Sequence, residues 1–494
     1  MTTRFGVAMS TDIARRLTAD LTRDDGQEEC CFVLWRPSTG AQRTTALIVD
    51  TVPPLEGERI VHGTVDFTSD YFRRASDLAA EVGCGVGLIH SHPGGRGWQT
   101  LNRVDHAAEE NFAAQAMALT GRPLLGMVFS GADQGHSARI WQRRARRHYA
   151  PMHAESVRVV GDQFTVTFNP RLAPVPRAVD SQVRTVSAWG PSVQDTLARL
   201  KVGVVGTGSV GMIVVEALAR TGVGHLTLLD FDAVEIVNLD RLLHATQRDA
   251  RRGRAKVDLA AQAARRAATH PAFRVTALEA SVVEPAGFAA AADCDVLVSC
   301  VDRPWPRHVL NLLAYAHLIP VVDGGVSVAT HSGSMRGAEW RGHVAAPGRA
   351  CLECLGQYDA AHVATERDGM LDNPSYITGL PDDHVLRRKE NVFVFSLAAA
   401  SAQMNQFITM VAAPAGIADT GAHLHHLTTG TTDRREEGCT PQCPYGGTSP
   451  DEEPGGSLHL LGDSAPTLVG SHTAAERARA ARRTLRARLR HLRP

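Results

Sequence analysis

The chain has 494 residues, with 52 Lys and Arg balanced by 52 Asp and Glu, and it contains nine cysteines. That length accommodates two or three domains with full cores. A formal net charge of zero excludes a global field that would gather nucleic acid or anionic lipid.

No apolar run that would serve as a secretion leader occurs between Met1 and Glu29. The longest uncharged stretch, Asn391 to Ala418, contains Gln403, Asn405, Gln406 and Pro414, and reads as a buried helix rather than a membrane span. The expected setting is the cytoplasm of a bacterium. Cys30, Cys31, Cys84, Cys294 and Cys300 lie in or beside apolar strand-like runs, where they act as small core residues. The other four form two close pairs, a spacing that suits a metal in a reducing compartment.

The first chemistry-bearing group lies near the N-terminus. The acidic pair Glu28-Glu29 precedes the apolar run Cys30 to Leu34, and further on comes Gly87-Leu88-Ile89-His90-Ser91-His92-Pro93. Alternate residues of a strand share a face, so His90 and His92 can offer both imidazoles to one metal. Asp105, at the start of a helix expected over Val104 to Leu119, can add a third ligand. Three protein ligands leave a position for water, as in a catalytic zinc site. Strand parity allows only one of Glu28 and Glu29 to face it. Twelve residues separate His92 from Asp105, and Gly94-Gly95-Arg96-Gly97 allow a loop to absorb that length.

This set resembles the JAB/MPN family of zinc isopeptidases over residues 1–147, including a late strand Leu124 to Ser130 and a closing strand Ala138 to Gln142. The resemblance implies an α/β metallopeptidase domain with zinc on His90, His92 and Asp105. It favours Glu28 as proton relay, because Cys31 then falls where relatives place Gly or Ala; Glu29 is the second choice. Ser91 is counted with the catalytic group. Asn102 stands where the family has a Ser that donates to the carbonyl oxyanion, and its amide can also donate.

Beyond this domain, Arg143-Arg144-Ala145-Arg146-Arg147 reads as a solvated basic hinge. Residues 148–180 read as a linker carrying a hairpin, Ser156 to Val160 and Gln163 to Phe168, turning at Gly161-Asp162. From Lys201 to about Val328, strand, Gly-rich turn and helix repeat, which predicts a parallel sheet with crossover helices. Val202 to Val205 leads into Gly206-Thr207-Gly208-Ser209-Val210-Gly211 and a helix over Met212 to Arg220. Such glycines let backbone N–H groups approach a phosphate at a helix N-terminus. Alone, the motif is more often a dinucleotide site. Asp230-Phe231-Asp232, Asn238, Arg241, Lys256 and Asp302, with Arg307 beyond, add cations and carboxylates that suit adenylyl transfer rather than hydride transfer.

The stretch resembles the ThiF/MoeB family, the adenylating fold of ubiquitin-activating enzymes, over residues 181–445. The resemblance implies a Rossmann-like domain with a mostly parallel sheet, ATP on Gly206, Gly208 and Gly211, ribose on Asp230 with Asp232 beside it, and phosphates on Asn238, Arg241 and Lys256. It implies Mg2+ on Asp302 and a homodimer in which Arg184, from the entry segment Arg184 to Gly190, reaches the partner's site. Cys351, Cys354, Cys439 and Cys443 supply four thiolates for a closed, structural zinc. Many activating enzymes carry a nucleophilic Cys after the first zinc pair, but Leu355 to Gly438 contains none. Ser375 or Thr378 is the alternative nucleophile there.

Residues 446–494 read as a flexible linker followed by an Arg-rich helix. Eight arginines lie between Thr473 and Arg493, with Leu485, Leu489 and Leu492 at helical spacing. The helix is expected to be a solvated tail, or else a binder of an acidic partner or nucleic acid. The function expected is bifunctional: ATP-dependent adenylation of the C-terminal carboxylate of a β-grasp, ubiquitin-like modifier, and zinc-dependent cleavage of that modifier, with a conjugating enzyme as a further partner. The alternatives are activation of a sulfur carrier for thiamine, molybdopterin or cysteine synthesis, and a nucleotide-binding interaction protein without catalysis.

Overall fold

The computed structural model describes residues 4–62, 64–145, 148–177, 179–380, 390–436, 438–446, 461–465 and 468–491. They divide into two compact units: residues up to 175 with 316–318 and 461–465, and the remainder of the chain.

The first unit is a nine-stranded sheet with helices on both faces. Its strands are β1 (Arg4–Ser10), β2 (Cys30–Thr39), β3 (Arg43–Val52), β6 (Gly85–His92), β7 (Leu125–Ser130), β8 (Gly135–Ala145), β9 (His148–His153), β10 (Ser156–Val160) and β11 (Phe164–Phe168). Their order is β11-β10-β1-β3-β2-β6-β7-β8-β9, and β4 (Arg59–His62) and β5 (Thr64–Phe67) form a separate ribbon. Period-two alternation divides β2 cleanly. Cys31, Val33 and Trp35 pack with Ile13, Leu17 and Leu21 of α1 (Thr11–Leu21). Cys30, Phe32 and Leu34 pack on the opposite side with α2 (Ser69–Glu81) and α3 (Arg103–Thr120). α3 is further pinned by Glu109, which is fully buried and accepts from Arg139 Nε at 2.7 Å and Trp141 Nε1 at 2.7 Å. Glu109 lies one turn beyond Asp105 on the same helix face, so this anchor sets where Asp105 points.

The second unit opens with α4 (Val183–Trp189) and α5 (Pro191–Arg199), then β12 (Lys201–Val205), α6 (Ser209–Arg220) and β13 (His225–Leu229). There follow α7 (Gln247–Arg251), α8 (Lys256–Ala267), β14 (Arg274–Leu278), α9 (Pro285–Ala292), β15 (Val296–Ser299) and α10 (Pro304–Ala316). The long hairpin β16 (Val321–His331) and β17 (Ser334–Ala345) leads to α11 (Ala360–Arg367), α12 (Pro374–Gly379) and α13 (Phe393–Ala412). β18 (Ala422–His426), β19 (Thr431–Arg435) and α14 (Thr473–His491) complete it. The order is β14-β13-β12-β15-β16-β17-β18-β19. Strands from β14 through β16 pair in parallel, whereas β16 through β19 pair antiparallel. The sheet is therefore mixed, not mostly parallel, because the hairpin and its two followers extend one edge. α13 is the buried helix expected within 391–418; its Gln403 is fully buried and donates to Ser299 O at 2.7 Å. Among the described residues no helix is long and apolar enough to cross a membrane.

Three expectations change. The stretch 148–180 is not a linker with a lone hairpin: the expected hairpin forms as β10 and β11, and with β9 it joins the sheet of the first unit, β10 running parallel to β1. Arg143, Arg144 and Ala145 of the expected hinge close β8, while Arg146 and Arg147 lie outside the described residues, as do 447–460 of the expected flexible linker. The Arg-rich helix is not a solvated tail. Arg482 donates to the Phe231 carbonyl at 2.5 Å and pairs with Glu279, Arg479 pairs with Glu284, and Arg477 lies 3.2 Å from Asp372. His472, just ahead of α14, is buried and stacks on Trp305.

Burial pushes Glu284 up, but hydrogen bonds from Arg479 and the Ser281 N–H outweigh it and hold the carboxyl below its ordinary value. A depressed carboxyl contributes stability above its unfolded pKa of about 4.3 that is lost as pH falls through the folded value. Wild type should therefore exceed Glu284→Gln by about 1 kcal/mol at neutral pH. Thermal melts should show the two converging below about pH 4; a gap that does not change with pH would deny the pair this role.

Candidate functional site

In the first unit, β6 delivers His90 and His92 to one side of its carboxyl end, and the first turn of α3 brings Asp105 opposite. His90 Nε2 lies 3.3 Å from His92 Nε2 and 3.7 Å from Asp105 Oδ2. One ligand atom from each residue falls within 4.8 Å of the others. Tetrahedral ligands about 2.0–2.1 Å from zinc stand about 3.3–3.4 Å apart, so the donor set fits such an ion. Burial pushes His90 down to about 3, which keeps the imidazole neutral and able to ligate.

Glu28 is the glutamate beside this group. Burial raises its pKa, while the charge of His92 pulls it down and that of Asp105 pushes it up. Glu29 points elsewhere: fully buried, it pairs with Arg59, receives Arg23 Nη1 at 3.1 Å and accepts the Cys30 N–H at 2.9 Å. Ser91 faces away from the two histidines, as strand parity requires, and its hydroxyl accepts the Glu29 N–H at 2.9 Å. It holds the strand carrying the glutamates. Asn102 is the N-cap of α3, where its Oδ1 accepts from Val104 N at 2.7 Å and Asp105 N at 2.9 Å. That cap orders the turn presenting Asp105. The arginines around Glu29 are the part that sequence reasoning missed, since nothing marks Arg23 and Arg59 as neighbours.

In the second unit, the carboxyl ends of β12 and β15 flank the point where strand order reverses, the usual ligand crevice of an open α/β sheet. Gly206 there has φ +89°, and a side chain on it would strike the Cys300 carbonyl. A Cβ on Gly211 would collide with the Gly206 carbonyl; Gly208 has open space around it. Asp230 is buried. Its Oδ2 accepts Thr207 N at 2.6 Å and its Oδ1 accepts Asp232 N at 2.7 Å, so it braces the glycine loop from below. Burial raises its pKa.

Lys256 Nζ lies 3.0 Å from Asp232 Oδ2. Burial would lower the lysine, but Asp232, Asp230 and Asp302 together hold it above its ordinary value. Asp302 itself is exposed just past β15. Arg241 donates to the Val237 carbonyl at 2.7 Å and pairs with Asp240, while Asn238 caps a short turn through Glu235 N. Arg184 is exposed on α4. Lys256, Asp232 and Asp230 are thus brought together, and Lys256 also feels the charge of Asp302.

Cys351, Cys354, Cys439 and Cys443 converge within 4.8 Å, with Cys351 Sγ 3.6 Å from Cys443 Sγ. Zinc–sulfur bonds of about 2.3 Å place tetrahedral sulfurs about 3.8 Å apart, so the group can hold zinc. The hydrogen bond from Cys439 pushes Cys351 down to about 5. Cys300 is different. Burial pushes it up to about 12, and its sulfur lies 3.7 Å from Gln403 Oε1, the environment of a structural thiol.

These features define an α/β protein whose second unit presents a glycine-rich loop at a sheet switch point. The chain belongs to the ThiF family, which matches residues 179–428. Molybdopterin-synthase adenylyltransferase of Escherichia coli is 37% identical over 132 residues, 26% of this chain and 51% of that protein. tRNA threonylcarbamoyladenosine dehydratase of the same organism is 32% identical over 143 residues, 28% of this chain and 52% of that protein. The chain thus spans about half the length of these curated relatives. The crystal structure of E. coli MccB with AMPCPP and MccA superposes with a TM-score of 0.42 at 18% identity, over 55% of this chain and 75% of that one.

Metal analysis tests both donor sets without reference to activity. The purified chain is expected to carry two zinc equivalents; Cys354→Ser and His92→Ala should each leave one. Only Cys354→Ser should lower the melting temperature of the second unit, because a closed thiolate site is coupled to folding.

Proposed function

We propose that the chain activates and releases one modifier protein of the β-grasp class. The second unit adenylates its C-terminal carboxylate, and the first hydrolyses the bond that carboxylate later makes. The observation supporting adenylation is the meeting of the glycine loop with Lys256, Asp232 and Asp302 at the sheet switch point. In that reaction a carboxylate oxygen forms a bond to the α-phosphorus of ATP, the bond to the β-phosphate breaks, and pyrophosphate leaves. Lys256 and Arg241 stabilise charge building on the phosphoryl oxygens. Magnesium, where Asp302 holds it, neutralises part of the triphosphate charge.

No cysteine occurs between Leu355 and Gly438, and Cys300 is held as a neutral thiol, so the adenylate passes to an external nucleophile. A conjugating enzyme supplies one, and Arg184 from a second copy of the chain completes the nucleotide site. Both reactions take place in the cytoplasm. Sulfur-carrier activation is the second reading, favoured by the identity to the molybdopterin-synthase enzyme. Transfer to a sulfur donor rather than to an amine would establish it.

The hydrolytic reading rests on the His90, His92 and Asp105 group with Glu28 beside it. Zinc bound there supplies Lewis acidity and lowers the pKa of water toward about 7. Glu28, with its raised pKa, accepts the proton of the attacking water and passes it to the leaving amine.

Two measurements check these readings. Lys256→Ala or Asp302→Ala should reduce modifier-dependent exchange of pyrophosphate into ATP by roughly 10²–10³, with cleavage unaffected. Glu28→Gln should abolish cleavage of a modifier fusion while zinc content stays whole. Should Glu28→Gln cleave normally and Glu29→Gln not, the proton relay is the neighbouring residue; if neither matters, the first unit is not this hydrolase.

A further inference from the structure

Beside the nucleotide crevice, at the carboxyl end of β15 and the start of β16, one carboxylate serves two guanidinium groups. Asp323 is fully buried and accepts the Ser299 hydroxyl at 2.7 Å. Arg341 Nη2 reaches its other oxygen at 3.3 Å, and Arg307 Nε stands 3.6 Å away. Among the described residues neither arginine forms an ion pair with a second carboxylate. The buried Nε atoms of both have no hydrogen-bond partner. The group therefore carries a surplus positive charge in a place where burial makes charge costly. Its side chains are not sealed off: Arg341 retains 19% of its exposure and Arg307 13%.

The backbone is shaped for this arrangement. Gly325 sits opposite Arg341 in the β16–β17 register, and a Cβ there would run into the guanidinium. Arg307 also donates to the Val301 carbonyl at 2.7 Å, one residue before Asp302. The surplus cation thus lies one residue from the one assigned to magnesium, and an anion would complete it. Planar, forked donors match a carboxylate with two parallel hydrogen bonds.

We propose that Arg341, supported by Arg307, reads the free C-terminal carboxylate of the peptide or protein substrate and holds it, ionised, for attack on ATP. This rests on the adenylation reading and names the feature by which the site selects its acyl substrate. Once the carboxylate oxygen bonds to the α-phosphorus and pyrophosphate departs, the acyl group no longer carries that charge. The contact with Arg341 is thereby weakened, so the pair favours the reactant over the adenylate.

The test uses the full chain and a synthetic peptide ending in Gly-Gly, as the free acid and as the C-terminal amide. Binding is followed by fluorescence anisotropy in the presence of a non-hydrolysable ATP analogue. Wild type should prefer the acid, and Arg341→Gln should lose that preference by about 10–100-fold, the range of one charge-assisted hydrogen bond. The apparent KM for peptide in pyrophosphate exchange should rise in parallel while that for ATP is unchanged. A raised ATP KM with the acid preference intact would mean that the arginine serves phosphate, and would overturn the proposal. Should Arg341→Gln not fold, Arg341→Lys decides: it keeps the ion pair, and its acid preference must still fall several-fold, an unchanged preference being a refutation. A wild type that exchanges pyrophosphate but binds acid and amide equally overturns the proposal alone. A wild type with no peptide-dependent exchange overturns the adenylation reading, and this proposal with it.

Discussion

A carboxylate removed from water must find cations or hydrogen-bond donors, since leaving it bare costs several kcal/mol. Four such carboxylates organise this protein. In the first unit, Glu29 draws Arg23 and Arg59 to one side of β2, and Glu109 locks α3 to Arg139 and Trp141. Those two anchors fix the strand start that carries Glu28 and the helix that carries Asp105. In the second unit, Asp230 gathers the glycine loop and the backbone ahead of Lys256, and Asp323 gathers Ser299, Arg307 and Arg341. Each of these acids braces backbone or side chains next to residues assigned to a candidate site.

That arrangement explains what the sequence could disclose. Local spacing is enough where ligands share one strand or helix turn: His90 and His92 two apart, Asp105 in a first turn, Cys351 and Cys354 three apart. Parity correctly separates Glu28 from Glu29, because one residue's shift along a strand reverses the face. It also predicts that Ser91 looks away from the histidines, as it does. Asn102 has a second role that spacing does not announce. Its position in the motif suggests a donor to substrate; as a residue just ahead of a helix it also caps the turn, its carbonyl oxygen accepting two N–H groups while the amide nitrogen stays a separate donor.

Long-range pairings were not legible. Arg139 meets Glu109 across 30 residues and Arg482 meets Glu279 across 203, and no pattern in the chain announces either. The hairpin of β10 and β11 is legible from its turn, but the edge strand β9 and the parallel pairing of β10 with β1 are not, because a short strand resembles a turn until a neighbour supplies the ladder. The mixed sheet has the same cause. Parallel strands declare themselves through alternating helices, whereas β17 and β19 attach by hairpins and β18 returns to β17 only after α11 to α13, its pairing decided by the edge it meets.

The Arg-rich helix shows most clearly why composition alone misjudges charge. Eight arginines against a chain of zero net charge suggest a basic arm seeking an outside partner. Three of them, Arg477, Arg479 and Arg482, are instead paired with Asp372, Glu284 and Glu279 of the same unit. His472 and Ala475 bury the start of the helix against Phe231 and Trp305. An arginine already paired with a carboxylate must give up that partner before it can bind a phosphate, so the paired face has little to offer nucleic acid. Arg482 also donates to the Phe231 carbonyl, between Asp230 and Asp232. The helix thereby bears directly on the backbone that carries Asp230 and Asp232, beside Lys256, and the acidic partner suggested by its composition is the second unit itself.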